Sequence, residues 1–136
     1  MERIVVGFDG SDNARKALAR AVDIANGATI AVVSATGPSP LRTKDMSMSP
    51  EDPADAEART KALAEAREFL ESKGAKAVYV EGHGSPADVI VAEAEESGAD
   101  LIVVGTRGHN VAQRMFLGSV STNVVHHATC DVLVVR

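Results

Sequence analysis

The amino-acid sequence of 136 residues has a single cysteine, few aromatic residues and no long apolar run. Cys130 has no second cysteine with which to form an intramolecular disulfide. No stretch approaches the roughly 20 apolar residues that a membrane-spanning helix needs. The N-terminal stretch MERIVVGFDG lacks the apolar length and the cleavage site of a signal peptide. These absences predict a soluble, cytoplasmic protein without a membrane partner.

An excess of positive charge is also missing. The chain has 14 lysine and arginine residues against 19 aspartate and glutamate residues, which gives a formal net charge of -5 at pH 7. A surface of that sign does not neutralise a phosphate backbone, so nucleic acid is not expected as a partner. The length and the hydrophobic content of 45% predict one compact domain over residues 1–136.

Five short runs rich in valine and isoleucine predict β-strands. They lie at residues 3–8, 29–35, 76–82, 101–105 and 131–136. The first, fourth and fifth runs are almost continuously apolar, which is typical of strands covered on both faces of a parallel sheet.

Apolar residues recur at helical spacing between these strands. The periodic segments cover residues 14–25, 62–70 and 87–94, and a shorter helix is predicted over 119–127. Gly27, Gly74 and Gly98 follow the periodic segments, where a left-handed C-cap favours glycine, and Ser85, Pro86 and Asp88 match a capping box. The alternation predicts an α/β fold: a three-layer, doubly wound domain with a five-stranded parallel sheet and four helices.

The segment of residues 36–55, TGPSPLRTKDMSMSPEDPAD, has four of the five prolines and no sustained periodicity. We expect a long, mobile loop there.

The segment GTRGHNVAQRMFLGSVSTN runs from the end of the fourth strand into the last helix. In a doubly wound sheet, ligands bind beyond the carboxyl ends of the strands, and a helix N-terminus there favours an anion such as phosphate. Gly105 and Gly108 can take positive φ and admit a ligand to the main chain, and Gly118 leaves the helix start bare. Ser119 and Ser121 would add hydroxyl donors, and Arg107 and Arg114 would add charge. The alternative is that the glycines only form turns and cap the helix.

These residues carry a resemblance. Gly105, Gly108, Gly118 and Ser119 are spaced as Gly, two residues, Gly, nine residues, Gly-Ser. This pattern resembles the nucleotide-binding signature of the universal stress protein family. The stretches IVVGFDGSDNARKAL, GSPADVIVAEAEESGADLIVVGTRG and LGSVSTNVVHHATCDVLVVR are also similar to that family, and only residues 36–55 fall outside the likeness.

The resemblance implies strand order 3-2-1-4-5 and an adenine nucleotide held between the first and fourth strands, with ATP as the first expectation. Asp9 matches the family aspartate on the ribose and phosphate side, where it would also meet a divalent ion such as Mg²⁺; the alternative for Asp9 is a helix cap. Ala35 matches the position whose backbone faces adenine. The candidate binding residues are Gly7, Phe8, Asp9, Ala35, Val104, Gly105, Thr106, Arg107, Gly108, Gly118, Ser119, Val120 and Ser121.

A homodimer through the C-terminal strand, residues 131–136, is expected because that strand is a sheet edge in the implied order. Asp131 stands where similar family members commonly carry proline, a departure that bears on the path into the last strand and on the dimer register. A further protein partner would be needed for a regulatory role, and the sequence does not name it.

The function that these patterns favour is a stress-response regulator that binds an adenine nucleotide and hydrolyses it slowly or not at all. A member that binds cyclic AMP and a weak ATPase or other nucleotide-processing enzyme are the alternatives. No catalytic residue is assigned. The segment from Gly105 to Asn123 has no lysine, and the chain offers no obvious general base other than His109 and Asp9. The absence of tryptophan disfavours a flavin module. The arginine that ends the last strand disfavours a receiver domain, which would have a lysine there.

Overall fold

The computed structural model describes residues 1–36, 53–106 and 118–136. Strands and helices alternate along them. The strands are β1 (Arg3–Gly7), β2 (Thr29–Thr36), β3 (Ala77–His83), β4 (Leu101–Gly105) and β5 (Asp131–Val135). The helices are α1 (Asp12–Ala25), α2 (Pro53–Ser72), α3 (Pro86–Ser97) and α4 (Ser119–His127).

The five strands form one parallel sheet in the order β3-β2-β1-β4-β5. At its centre β1 pairs with β2 on one side and with β4 on the other, with Val5 opposite both Ala31 and Ile102. The predicted fold class and strand order are confirmed. Asp131 pairs with Leu101 at the start of β5, so the aspartate leaves the path into the last strand parallel to β4.

The apolar core covers both faces of the sheet because the side chains of each strand alternate between them. Ile4 and Val6 of β1 pack with α1 and α2, whereas Val5 packs with α3 and α4. All three side chains are fully buried, and each contributes about 1.5–3 kcal/mol by leaving water. Burial on both faces explains why the central strands read as continuous apolar runs.

Two of the predicted helix ends differ in detail. The left-handed C-cap of α1 is Asn26, with φ 47°, and the positive-φ Gly27 follows it. Ser85 is the N-cap of α3 and Pro86 follows it, but the Ser85 side chain makes no capping hydrogen bond. The capping box predicted from Ser85 and Asp88 is therefore wrong, whereas the boundary that it marked is right.

Both ends of the segment 36–55 belong to regular elements and not to a loop. Thr36 is the last residue of β2, and Pro53–Asp55 form the first turn of α2. The rest of that segment, residues 37–52, lies outside the described residues, as do Arg107, Gly108, His109 and Arg114. Among the helices that the structure describes, none has the length and apolar character needed to cross a bilayer.

Candidate functional site

The carboxyl ends of β1 and β4 lie side by side in the middle of the sheet. After β1 the chain enters α1, which packs on one face, and α4 packs on the opposite face. This is the point where the strand order reverses, and in open α/β sheets the helices diverge there and leave a crevice for a ligand.

Asp9 lies two residues beyond β1 with an exposed side chain. Its Oδ1 accepts a hydrogen bond from the Ser11 N–H at 2.9 Å. The N-cap of α1 is Ser11, whose Oγ accepts from the Ala14 N–H at 3.2 Å. The capping role considered for Asp9 therefore belongs to Ser11, and Asp9 holds the turn that precedes the helix.

Gly105, the last residue of β4, is required by packing. A Cβ placed there would lie 2.8 Å from the main-chain carbon, the carbonyl oxygen and the Cβ of Asn13. The φ of Gly105 is not in the left-handed region, so the positive φ that glycine can take is not used there. The missing side chain lets the first turn of α1 approach the end of β4.

Thr106 follows Gly105 and joins the end of β4 to three other elements. Its N–H donates to the Val135 carbonyl of β5 at 2.8 Å, and its carbonyl accepts from the Gly118 N–H at 2.6 Å. Its Oγ1 is 3.2 Å from the Asn13 Nδ2 of α1. Thr106 is 8% exposed, so its hydrogen bonds are largely shielded from water.

Gly118 is the N-cap of α4, with extended backbone at φ -70° and ψ 168° and no side chain to cap the helix. The helical ladder begins with the Thr122 N–H, which donates to the Gly118 carbonyl. The N–H groups of Ser119, Val120 and Ser121 precede that ladder and have no intrahelical acceptor. They form the positive end of the α4 dipole at the carboxyl edge of the sheet.

The two serines of α4 have different surroundings. Ser119 is exposed, as a hydroxyl that meets a ligand must be. Ser121 is 1% exposed, and its Oγ lies 3.1 Å from both the Thr106 and the Gly118 carbonyl oxygens. The single hydroxyl hydrogen of Ser121 is therefore directed to a main-chain oxygen. In place of the expected donation to a ligand, the hydroxyl connects the first turn of α4 to the main chain around it.

Four other candidates have no side chain or one that packs in or against the core. Phe8 and Val104 are buried in the core on opposite faces of the sheet, and the Phe8 N–H donates to the Val33 carbonyl at 2.9 Å. Gly7 lies against α3, since an added Cβ would be 2.6 Å from the Ile90 Cδ1. Val120 is half-buried against the core on the α3 and α4 face.

Ala35 lies next to the end of β2, which an arginine of α2 holds in place. Arg59 is 5% exposed, and its guanidinium donates to the Thr36 Oγ1 and, at 3.1 Å, to Glu81 Oε1 of β3. Thr36 Oγ1 lies 3.4 Å from the Asp55 carbonyl oxygen. These contacts fix the carboxyl end of β2 and with it the main chain at Ala35.

The metal-ligating residue types are dispersed. Over residues 1–36, 53–106 and 118–136, no three His, Cys, Asp or Glu side chains gather closely enough to hold a metal ion. His126 and His127 are exposed in the last turn of α4. Cys130 is half-buried against the core, and burial followed by the nearby Asp131 carboxylate raises the pKa of its thiol. That surrounding favours a packed thiol over a reactive one.

Comparison with known proteins places this geometry in a family. The sequence model that describes the universal stress protein family matches residues 1–136 of this chain. The chain belongs to the universal stress protein family. Universal stress protein YxiE of Bacillus subtilis is 36% identical over 146 aligned positions, which cover 98% of this chain and 98% of that relative.

Two solved universal stress proteins share the fold over nearly the whole chain. One, in complex with cAMP, is 30% identical with a TM-score of 0.74, and the match covers 99% of this chain and 97% of that one. The other, from Archaeoglobus fulgidus in complex with dAMP, is 28% identical with a TM-score of 0.75, and the match covers 100% of this chain and 98% of that one.

Sequence reasoning missed two side chains at the carboxyl edge of this universal stress protein fold. No local pattern indicates the role of Asn13, because its contact with Thr106 spans 93 positions of sequence. The burial of Arg59 was predictable from the sequence, since Arg59 lies on the buried face of α2 at helical spacing from Ala62, Ala66 and Leu70. A charged residue on such a face predicts a buried, paired side chain.

Proposed function

We propose that this universal stress protein binds an adenine nucleotide, with ATP as the leading candidate, where β1 and β4 end. The observation that carries the proposal is that two relatives with the same fold were solved with cAMP and with dAMP. Both ligands combine adenine with a phosphate group. A site for either must therefore recognise the base and accommodate an anion.

The start of α4 supplies what the phosphate group needs. The N–H groups of Ser119 and Val120 precede the helical ladder, and the Ser119 hydroxyl is exposed beside them. Backbone N–H groups and the helix dipole at such a position stabilise negative charge. The extended φ of Gly118 suits any residue, so its backbone conformation does not explain the glycine. A phosphate group close to the main chain would explain it.

The opposite side of the crevice supplies Asp9 and the end of β2. Mg²⁺ is usually bound by one or two carboxylates, with water and phosphate oxygens in its remaining positions. One exposed carboxylate, that of Asp9, is enough for a Mg²⁺ that binds together with a nucleotide, whose phosphate oxygens would supply further ligands. Such an ion would offset phosphate charge. The main chain at Ala35, held by Arg59 through Thr36, would face the adenine ring.

A melting experiment tests the binding proposal. A ligand that binds only the folded state stabilises it by about 2.7 kcal/mol at one hundred times its Kd. Protein shown to be free of ligand should therefore melt at a higher Tm with ATP, ADP, AMP or cAMP than with GTP. The largest shift with cAMP would support the cyclic-nucleotide alternative in the same site.

The control for this experiment is Gly118→Thr. Threonine is accepted at an N-cap and at φ -70°, so the variant should fold, while its side chain would stand in front of the α4 N–H groups. We expect the variant to lose the nucleotide-dependent rise in Tm. Absence of a shift with every adenine nucleotide at millimolar concentration in the wild type would contradict the proposal.

We further propose that the protein acts by binding and does not turn over its ligand at an enzyme's rate. Phosphoryl transfer requires groups that stabilise charge developing in the transition state, and the segment from Gly105 to Asn123 contains no lysine. In the presence of Mg²⁺, the rate of phosphate release from ATP should not exceed that of a sample without protein. Release at about 1 s⁻¹ or faster that is lost in Asp9→Ala would contradict this.

A homodimer through β5, a further protein partner and a cytoplasmic location complete the proposed function. Among the described residues, β5 is hydrogen-bonded to β4 and lies at the edge of the sheet. Pairing of this edge with its own copy would cover it.

A further inference from the structure

Thr106 is the junction at which three elements next to the proposed nucleotide site meet β4. Its main chain bonds to Val135 of β5 and to Gly118 at the start of α4, and its Oγ1 bonds to Asn13 of α1. The Ser121 hydroxyl reaches the same carbonyl that Gly118 bonds. These contacts do not include the α4 N–H groups that are proposed to meet phosphate.

The position of those N–H groups depends on the Thr106 carbonyl. Gly118 is the residue directly before α4, and its N–H lies 2.6 Å from that carbonyl oxygen. The Ser121 Oγ, one turn into the helix, lies 3.1 Å from the same oxygen. The Gly118 hydrogen bond holds the helix N-terminus at a fixed distance from β4, and the Ser121 hydroxyl, equally near the Thr106 and Gly118 carbonyl oxygens, adds a second contact.

Asn13 ties the other side of the crevice to the same point. It lies in the first turn of α1, four residues after Asp9, and its main chain packs against Gly105 without room for a Cβ. Its amide Nδ2 then reaches past Gly105 to the Thr106 Oγ1 at 3.2 Å. The start of α1, which follows Asp9, is thereby connected to the start of α4.

We infer that Asn13 is a positioning residue for the phosphate group of the nucleotide, acting through Thr106. The inference rests on the proposed function and deepens it. The Asn13 amide holds the Thr106 side chain, and the Thr106 carbonyl holds the N-terminus of α4. Asn13 itself does not touch the ligand, so its removal should change how phosphate is held and leave the contact with adenine unchanged.

A double-mutant cycle of Asn13→Ala and Thr106→Val tests the inference by calorimetric titration with AMP and with adenosine. Thr106→Val removes Oγ1 and keeps the shape of the side chain. Each single variant should bind AMP about 3- to 10-fold more weakly than the wild type, because one hydrogen bond that positions the site is lost. The double variant should lose no more than either single one, since both remove the same bond. Thr106→Ser should restore AMP affinity.

Adenosine separates positioning from a general loss of structure. Its affinity should change by less than about twofold in all these variants, because it has no phosphate. Thr60→Val is the matched control, since it removes an exposed hydroxyl of α2 that, within the described part of the chain, bonds the Ala56 carbonyl. That variant should bind both ligands as the wild type does.

The outcomes distinguish this inference from the proposed function. A wild type that binds AMP, with unchanged affinity in both single variants, would overturn the role of Asn13 and leave the proposed function intact. Equal losses for AMP and adenosine, or additive losses in the double variant, would also overturn it. A wild type that binds neither ligand would overturn both. If Asn13→Ala does not fold, the comparison of Thr106→Val with Thr106→Ser decides the matter.

Discussion

Gly105 and Gly118 are glycines for different physical reasons, although both belong to one sequence signature. Gly105 has no space for a Cβ, because the main chain of Asn13 occupies it. Gly118 has an extended backbone conformation that any residue can adopt. The first glycine is thus explained by the packing of α1 on β4, whereas for the second we propose a phosphate group close to the main chain.

Gly105→Ala should destabilise the folded protein by about 1–3 kcal/mol, because the atoms that the new methyl group meets belong mainly to the backbone of α1 and cannot rotate away. Urea unfolding followed by circular dichroism measures this change. Gly118→Thr serves as the control and should retain the stability of the wild type. A Gly105→Ala protein as stable as the wild type would show that α1 can shift without cost.

At the scale of elements, the two edge strands differ in the side chains that they carry. In β5 the apolar side chains of Val132, Leu133 and Val134 follow one another and are half-buried. At the other edge, β3 has Val78 39% exposed but also carries the exposed Glu81 and His83. The mostly apolar β5 edge is therefore the better candidate for pairing with a second copy.

Light scattering tests the proposed dimer. The wild type should have twice the 14.2 kDa mass of one chain at tens of micromolar, and Val134→Asp should reduce it to that of a single chain. Val78→Asp is the matched control at the opposite edge and should leave the dimer intact. A wild type of single-chain mass, or equal dissociation by both variants, would contradict pairing through β5.

Sequence patterns predict the helices and strands of this fold, but they do not predict the contacts between them. The apolar run at 101–105 and the helix at 119–127 have the bounds predicted, because local periodicity and the flanking glycines define them. The direction of the Ser121 hydroxyl was not predictable, since its acceptor is the Thr106 carbonyl, whose position depends on the pairing of β4 with β1 and β5. The partner of Asn13 was hidden for the same reason.

At the scale of the whole molecule, a chain with a net charge of -5 is proposed to bind an anion. Long-range attraction cannot drive such binding, so it must come from groups that act at short range. The carboxyl ends of β1 and β4 would provide them, because the sheet order brings to one edge the N–H groups at the start of α4 and the exposed Asp9, whose carboxylate would act through a bound Mg²⁺.

The most direct test is a titration of ¹⁵N-labelled protein with AMP, observed through backbone amide resonances. We expect the largest changes at Asp9–Ser11, at Ala35 and Thr36, and at the first amides of α4, Ser119–Ser121, with β3 and the C-terminal half of α2 unchanged. Saturable changes at those positions would place an adenine nucleotide at the switch point of the sheet. An unchanged spectrum at millimolar AMP, or changes confined to another face of the molecule, would contradict the account.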